Sequence, residues 1–276
     1  MKNLFLLSLV FFLFSSCEIF EGDEEDSGPD IAAGLKEALR VGTEVAANGL
    51  SAADGYLADA AVKILLPDEI QEQINSFKST SFDLGVTTLS GEEVFAAGIP
   101  ALGISSLADI EDELITGINR AAESAAGEAA PIFFDAITGI TIADANNILF
   151  GGVNNAATTY LKDNTFNALF DTYEPKMNDA ISSVTIGEQT VESLYTGFVT
   201  SYNDILATTV NPFSGETLAD LGSLDTLANV DLSEFATGKG LDGLFLKVAE
   251  EEEKIRLDPL ARINDILQDV FGLLDD

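Results

Sequence analysis

The sequence contains no histidine, no tryptophan and a single cysteine, Cys17. Without histidine, Ser-His-Asp and Cys-His catalysis are excluded, and so are histidine-dependent metal sites such as His-ligated zinc. With one cysteine, a disulfide within the chain and a cysteine-based metal cluster are excluded as well. We therefore expect no cofactor and no metal site, and any catalysis would use carboxylates, tyrosine, lysine or serine.

Positive charge is also scarce. The chain has 13 lysines and arginines against 47 aspartates and glutamates, which gives a formal net charge of -34. Such a charge repels phosphate backbones and anionic headgroups, so the composition argues against nucleic acid and against peripheral membrane binding. Because 46% of the residues are apolar, the chain can nevertheless bury a sizeable core, which excludes global disorder.

Cys17 follows a short apolar stretch. One lysine, Lys2, precedes the 11-residue apolar stretch 4–14, which is interrupted only by Ser8, and two serines precede the cysteine. At 1.5 Å per residue this stretch makes roughly 16 Å of helix, about half of the ~30 Å hydrocarbon core of a bilayer. The segment 14–17 resembles a lipobox. We predict a signal peptide at 1–16, lipidation of Cys17 and an outer membrane lipoprotein facing the periplasm or the cell surface; the alternative is a buried or free thiol.

An acidic stretch connects Cys17 to the rest of the chain. Its six acids, with no base among them, are Glu18, Glu21, Asp23, Glu24, Glu25 and Asp26. Like charges favour an extended chain, so residues 17–29 are predicted to form a tether. The cluster resembles the export signal of lipoproteins displayed on the bacterial surface, and a plain solvated spacer is the alternative.

Helical periodicity dominates residues 30–276 and predicts one all-α, multi-helix domain. The predicted helices cover 30–49, 68–77, 107–126, 141–150, 154–162, 166–182 and 190–206, with a further pair towards the C-terminus. Two irregular excursions, 79–105 and 211–229, interrupt the pattern, and the first has room for a short hairpin.

The C-terminal helix pair has the clearest pattern. Asp258 and Pro259 predict an N-cap and a first helical position, and an apolar stripe from Ile263 to Leu274 follows. The glycines at 151–152 and at 238–240 flank no phosphate-loop motif and predict helix breaks.

Several short blocks share their order with one known family. They are GLKEAL at 34–39, DGYL at 54–57, NRAAE at 119–123, PIF at 131–133, LDGLF at 241–245, and EEEKIR, DP and AR within 251–262. This pattern is similar to domain-of-unknown-function family 4197, exported bacterial proteins with no established activity. The resemblance spans about 31–272, implies one helical domain and brings no catalytic residues. The chain departs from the family in the length of its two excursions.

The family-like blocks contain three of the few cations, Arg120, Arg256 and Arg262. They stand near Asn119, Glu123, Asp242 and Asp258, and arginine suits bidentate pairing with carboxylates. One interpretation is a set of internal ion pairs that tie the terminal helices to the central ones. The other is a pocket in which an arginine, helped by Tyr202, Asn203 and Asp242, receives an anionic ligand or the carboxylate of an envelope protein.

The sequence thus favours a lipid-anchored envelope protein with a non-enzymatic binding or interaction domain. A carboxylate-based hydrolase, for which Glu123 and Asp242 would be the pair, is one alternative. A purely structural or stress-related envelope factor is the other.

Overall fold

The computed structural model describes residues 29–85, 87–100, 106–211 and 213–275. The predicted signal peptide, the predicted lipidation site Cys17 and the acidic stretch up to residue 28 lie outside the described residues. The α-helices are α1 (Ile31–Ser51), α2 (Asp68–Ser79), α3 (Gly91–Ala97), α4 (Leu107–Ala126), α5 (Ala129–Gly139), α6 (Ala145–Phe150), α7 (Ala156–Ser183), α8 (Val191–Leu206), α9 (Leu218–Gly222), α10 (Leu232–Leu257) and α11 (Asp265–Phe271).

Three antiparallel hairpins and two short 3-10 turns complete the described part of the chain. The hairpins pair β1 (Ser81–Asp83) with β2 (Thr88–Ser90), β3 (Thr185–Ile186) with β4 (Gln189–Thr190), and β5 (Thr209–Asn211) with β6 (Glu216–Thr217). The 3-10 turns are Pro259–Ala261 and Gly272–Leu274. The predicted all-α class and single domain are confirmed.

Helices α1 and α10 form the centre of this domain. Asp30 starts α1 by accepting a hydrogen bond from the Ala33 N–H (3.0 Å). α1 packs against α10, α4, α5 and α11, and α10 also packs against α7. Their buried faces carry Leu35 and Leu39 on α1 and Leu241 and Leu244 on α10. The first and the last helices of the domain are therefore in direct contact.

The predicted break near residue 164 is wrong, because α7 is one helix of 28 residues. Polar residues in the middle bond to their own helix: Asn164 Nδ2 donates to the Tyr160 carbonyl (2.8 Å) and Thr165 Oγ1 donates to the Leu161 carbonyl (2.6 Å). Buried side chains on both sides of this polar stretch, among them Leu161 and Tyr173, hold the helix against the core. Tertiary packing thus outweighs the local polar interruption.

The predicted helix break at 238–240 is also wrong, since both glycines lie inside α10. A Cβ on Gly240 would lie 3.0 Å from Cε of Met177 on α7, so glycine here allows the close approach of two helices. The glycines at 151–152 do separate α6 from α7, as predicted.

The predicted stripe near the C-terminus is only partly buried. Leu267, Val270 and Phe271 lie in the core, whereas Ile263 is 69% exposed. The chain forms a 3-10 turn after Asp258, and α11 begins only after Asn264, which caps it by accepting the Leu267 N–H (3.1 Å). Ile263 lies between these elements, outside any helix, and so does not share the buried face.

The two excursions pack against each other. The first contains the β1–β2 hairpin, as predicted, followed by α3, and the second contains the β5–β6 hairpin and α9. Phe82 on β1 is buried next to Phe77 of α2 (ring centroids 5.6 Å apart) and to Gly222 at the end of α9. No helix in the part of the chain that the structure describes combines the length and the apolar character that a membrane crossing requires.

Candidate functional site

Arg120 joins α4 to the turn that follows α1. Its Nη1 donates to Glu123 Oε2 (2.6 Å), and its Nη2 donates to Asp54 Oδ1 (2.7 Å). The other oxygen of Glu123 accepts the N–H groups of Tyr56 and Leu57 (3.3 Å each). The hydrogen bonds to Glu123 and Asp54 raise the pKa of Arg120. The DGYL and NRAAE blocks therefore bind each other.

Arg256 and Glu252 form a buried ion pair on α10. Arg256 Nε donates to Glu252 Oε1 (2.9 Å), and both side chains are at most 3% exposed. The carboxylate also accepts the N–H groups of Ala157 (3.0 Å) and Thr158 (2.7 Å) and the Thr158 hydroxyl (2.7 Å). The N-cap residue of α7, Asn155, makes no side-chain cap bond, so Glu252 satisfies the free N–H groups of that helix.

The guanidinium of Arg256 faces the end of α6. Its Nη1 donates to the Leu149 carbonyl (2.9 Å) and its Nη2 to the Ile148 carbonyl (3.1 Å). The ion pair thus places a cation at the C-terminal end of α6 and an anion at the N-terminal end of α7, the arrangement that both helix dipoles favour. The donors of Arg256 are engaged within the protein.

Arg262 closes the end of α10. Its Nε donates to the Ile255 carbonyl (3.0 Å) and its Nη2 to the Arg256 carbonyl (3.1 Å), two carbonyls of the last turn. Nη1 and Nη2 also bind the two oxygens of Asp275 (2.5 and 2.8 Å). The hydrogen bonds from Arg262 lower the pKa of Asp275. This arginine, too, is engaged by internal acceptors.

Tyr202 and Asn203 on α8 contact neighbouring segments. The Tyr202 hydroxyl donates to the Gln73 carbonyl (3.2 Å), and burial raises the pKa of Tyr202 to about 12. Asn203 donates to the Leu227 carbonyl (3.1 Å) and accepts the Leu227 N–H (2.8 Å), which ties the second excursion to α8. Each of these polar groups has a partner inside the fold.

Asp242 is half-exposed on α10 and accepts a hydrogen bond from Lys162 Nζ (2.7 Å). Glu123, in contrast, is buried on α4 and bound by Arg120. The two carboxylates have different cation partners. Of the six residues predicted to bind a ligand, Asp242 alone lines the cavity described next, among the described residues.

Three lysines converge on a cavity of about 600 Å³ between the middle of α10, the first turns of α7 and the segment 61–64. We call this cavity the lysine cleft. It is lined by Lys63, Lys162, Lys239 and Asp242 and by the buried apolar side chains of Val62, Ile64 and Phe245. An adjoining cavity of about 430 Å³ shares Lys239 and Asp242 and continues along α10 past Phe170 and Phe235.

Asn119 positions the wall that carries Lys63. Its Oδ1 accepts the Ile64 N–H (2.9 Å) and its Nδ2 donates to the Ile64 carbonyl (2.7 Å), so a buried side chain holds this extended segment on both sides. Ile64 points into the core, and because successive side chains of an extended segment alternate, the neighbouring Lys63 is exposed.

Lys162 and Lys239 extend from the helices on the other sides. Lys162 Nζ lies 5.5 Å from the ring centroid of Phe166 and 5.6 Å from that of Phe245, in addition to its ion pair with Asp242. Lys239 Nζ lies 5.8 Å from the ring centroid of Phe235. Aromatic faces thus help to hold both ammonium groups near the cleft.

The lysine cleft differs from the rest of the molecule in how its cations are paired. Nine of the twelve lysines and arginines in the described residues form ion pairs with carboxylates. Of the other three, Lys36 donates to the Thr138 carbonyl (3.1 Å). The remaining two, Lys63 and Lys239, have no carboxylate partner among the residues that the structure describes, and both line the same cleft.

None of the three lysines of the cleft was predicted from the sequence to belong to a site. They come from three separate segments, and Lys239 stands between two glycines that were interpreted as a helix break. The sequence did offer one signal, the scarcity of cations. In a chain with so many acids, a lysine without a neighbouring acid is a candidate for binding an anion.

The fold and this site define a class, namely an all-α domain with an internally paired arginine network and a lysine-lined cleft. The chain belongs to the family described as Protein of unknown function (DUF4197), whose model matches residues 26–92 and 96–272. The predicted family is thereby confirmed. No curated protein and no solved structure matches the chain.

Proposed function

We propose that this protein is a lipid-anchored envelope protein whose helical domain binds a small anionic ligand in the lysine cleft. The observation that carries the proposal is that three cations in the described residues have no carboxylate partner, and two of them, Lys63 and Lys239, line one concave site, whereas the third, Lys36, donates to a backbone carbonyl. In a chain with a net charge of -34, unpaired positive charge on a cavity wall supports selection of an anion.

The lining of the cleft indicates the ligand's shape. Val62, Ile64 and Phe245 provide an apolar surface between the lysines, so a carboxylate or phosphate attached to an apolar body fits both features. Lys162 is already paired with Asp242 and would release this carboxylate or share its charge when a ligand arrives.

A hydrolase has less support from the same geometry. Glu123 and Asp242, the carboxylates considered for that role, are held by Arg120 and Lys162 respectively. We therefore propose that the domain binds a ligand and does not hydrolyse it. A purely structural envelope role is the outcome to which a failed binding test would point.

An apolar anionic dye, 1-anilinonaphthalene-8-sulfonate, tests the cleft. We expect the dye to bind saturably and to gain fluorescence. The double variant Lys63→Gln, Lys239→Gln should bind the dye with at least tenfold lower affinity. Added salt should weaken binding to the native chain, because it screens the attraction between charges. Mass spectrometry of the protein purified under mild conditions would then identify any natural anion that the double variant fails to retain.

The matched control is Lys254→Gln, which removes a surface lysine that is paired with Glu251 on the same helix. It should bind the dye as the native chain does. Equal loss in the control, or unchanged binding in the double variant, would reject the lysine cleft as the site.

The anchor is tested separately at Cys17. We expect metabolic labelling with a fatty acid in a bacterial host to mark the native chain and to fail in Cys17→Ala, which should leave the membrane fraction. Protease treatment of intact cells distinguishes a surface-exposed domain from a periplasmic one. A native chain without label would contradict the proposed anchoring.

A further inference from the structure

Large apolar side chains are exposed together at one end of the molecule. Leu257, the last residue of α10, is 64% exposed, and Leu260 and Ile263, on the connection to α11, are 90% and 69% exposed. Phe150, the last residue of α6, and Val153, between α6 and α7, are about half exposed. We call these five residues the apolar end. Isolated exposed apolar residues are common, but a group of five large ones indicates a contact surface.

Hydrogen bonds place the two stretches side by side. The Arg256 guanidinium binds the carbonyls of Ile148 and Leu149, so the last turn of α10, which ends at Leu257, is joined to the end of α6, which ends at Phe150. Asn154 Nδ2 also donates to Glu253 Oε1 (2.9 Å), which brings the α6–α7 connection to the last turns of α10.

The turn itself directs apolar side chains outwards. Arg262 folds back onto the carbonyls of Ile255 and Arg256 and is buried, whereas its neighbours Leu260 and Ile263 are exposed. The polar residue is thus inside and the apolar ones are outside, the reverse of the arrangement that water alone would favour.

The described chain starts near the same end. Asn264, next to Ile263, donates to Glu37 Oε1 in the second turn of α1 (2.7 Å), and Gly34 in the first turn of α1 contacts Val270 of α11. From Cys17 to the described chain, the 12 residues 17–28 span at most ~40 Å when extended. A lipid at Cys17 would therefore keep a bilayer within reach of this end.

We propose that the apolar end rests in the surface of the bilayer that holds the lipid anchor, with its five side chains among uncharged or zwitterionic lipids. This inference rests on the proposed anchoring at Cys17. The strong negative charge of the chain opposes anionic headgroups and opposes pairing with a second copy in solution. An anchor raises the effective concentration of the bilayer, so even a small apolar surface becomes occupied.

The absence of tryptophan from the chain makes a clean test possible. Leu260→Trp is made in the full-length lipidated protein and reconstituted into phosphatidylcholine vesicles. We expect a blue-shifted emission and quenching by lipids that carry a bromine label in the acyl chain. Adding Leu257→Ser and Ile263→Ser to the same protein should reduce both effects at least severalfold.

The matched control is Phe213→Trp, because Phe213 is fully exposed on the β5–β6 hairpin. Its emission should stay that of a water-exposed indole, and the labelled lipids should leave it unquenched. Similar quenching at both positions would overturn the inference, since it would show general contact with the vesicle rather than docking of the apolar end.

Intact mass of the purified chain distinguishes failure of the anchor from failure of docking. An unlipidated Cys17 would overturn the anchoring proposal and this inference with it. A lipidated, vesicle-bound protein with an unshifted Leu260→Trp signal would overturn docking alone. A blue shift without vesicles that grows with protein concentration would assign the surface to a second copy and would also overturn the inference.

Discussion

At the scale of single residues, buried charge in this protein joins helix ends. Glu252 binds the first turn of α7, and Arg256 binds the last carbonyls of α6, while the two side chains bind each other. A buried ion pair is tolerated only when its remaining hydrogen-bonding groups are satisfied, and here the helix termini supply the partners. The pair therefore fixes the relative positions of three helices.

Removing one member of the pair should be costly. We expect Glu252→Gln to lower the free energy of unfolding by about 3–5 kcal/mol, because Arg256 would remain buried without its counter-charge. Urea unfolding followed by circular dichroism measures the change. The control Glu253→Gln alters the neighbouring exposed acid and should stay within about 0.5 kcal/mol of the native chain. Equal effects would show that the buried pair has no special role.

Buried tyrosine gives a second prediction at this scale. Burial raises the pKa of Tyr202 to about 12, whereas tyrosine in an unfolded chain titrates near 10. The unfolded state thus loses its proton first, so the stability that Tyr202 contributes is complete below pH ~10 and is lost as the pH rises towards 12. Burial raises the pKa of Tyr56 and Tyr173 in the same direction.

We expect the free energy of unfolding to fall between pH 10 and 12 and to fall less steeply in Tyr202→Phe. Urea titrations at several alkaline pH values measure the two slopes. Identical slopes in the variant and the native chain would contradict a titrating contribution from Tyr202.

At the scale of elements, close packing decides where α10 tolerates side chains. A Cβ on Gly243 would lie 2.8 Å from Tyr56 Cε1 and 3.3 Å from Val62 Cβ, whereas a Cβ on Gly238 would meet only Phe170 Cε2, at 3.9 Å. The two glycines lie in the same helix but face different surroundings. Packing against Tyr56 and Val62 leaves no room for a side chain at Gly243. At Gly238 there is room for one, so glycine there only weakens the helix.

Substitution with alanine should therefore have opposite effects at the two positions. We expect Gly243→Ala to destabilise the protein by about 1–3 kcal/mol through overpacking. Gly238→Ala should stabilise it by about 0.5–1 kcal/mol, because alanine favours the helical backbone. Thermal unfolding of both variants makes the comparison, and the same sign of change in both would refute the packing argument.

The elements also show what local sequence can and cannot predict. The span of α4 was predicted at 107–126 because its apolar residues recur at helical spacing, and the structure adds that Ser106 caps its start. The continuity of α7 was missed because the packing that holds its polar middle in place comes from distant helices. The exposure of Ile263 was missed because it depends on Arg262 reaching back to α10.

At the scale of the whole molecule, the fold class and the family were predictable, whereas the candidate site was not. Internal pairing of the arginines was one of two interpretations of the sequence. Of the three acids named as their neighbours, only Glu123 forms an ion pair with one of these arginines in the described residues, and the other partners are Asp54, Glu252 and Asp275. The lysine cleft forms only when Lys63, Lys162 and Lys239 come together from segments that no local pattern connects. Which lysines and arginines already have carboxylate partners depends on the three-dimensional structure.

The contacts of Glu252 and Arg256 also have a consequence for the order of folding under the proposed export of the chain across a membrane. Their partners on α6 and α7 precede them by 94 to 108 residues, and α10 must also meet α1, the first helix of the domain. A chain crossing a membrane from its N-terminus exposes α1, α6 and α7 long before α10 emerges. Until then, the beginning of α7 and the end of α6 lack their buried partners, so native packing is completed only after translocation is nearly finished.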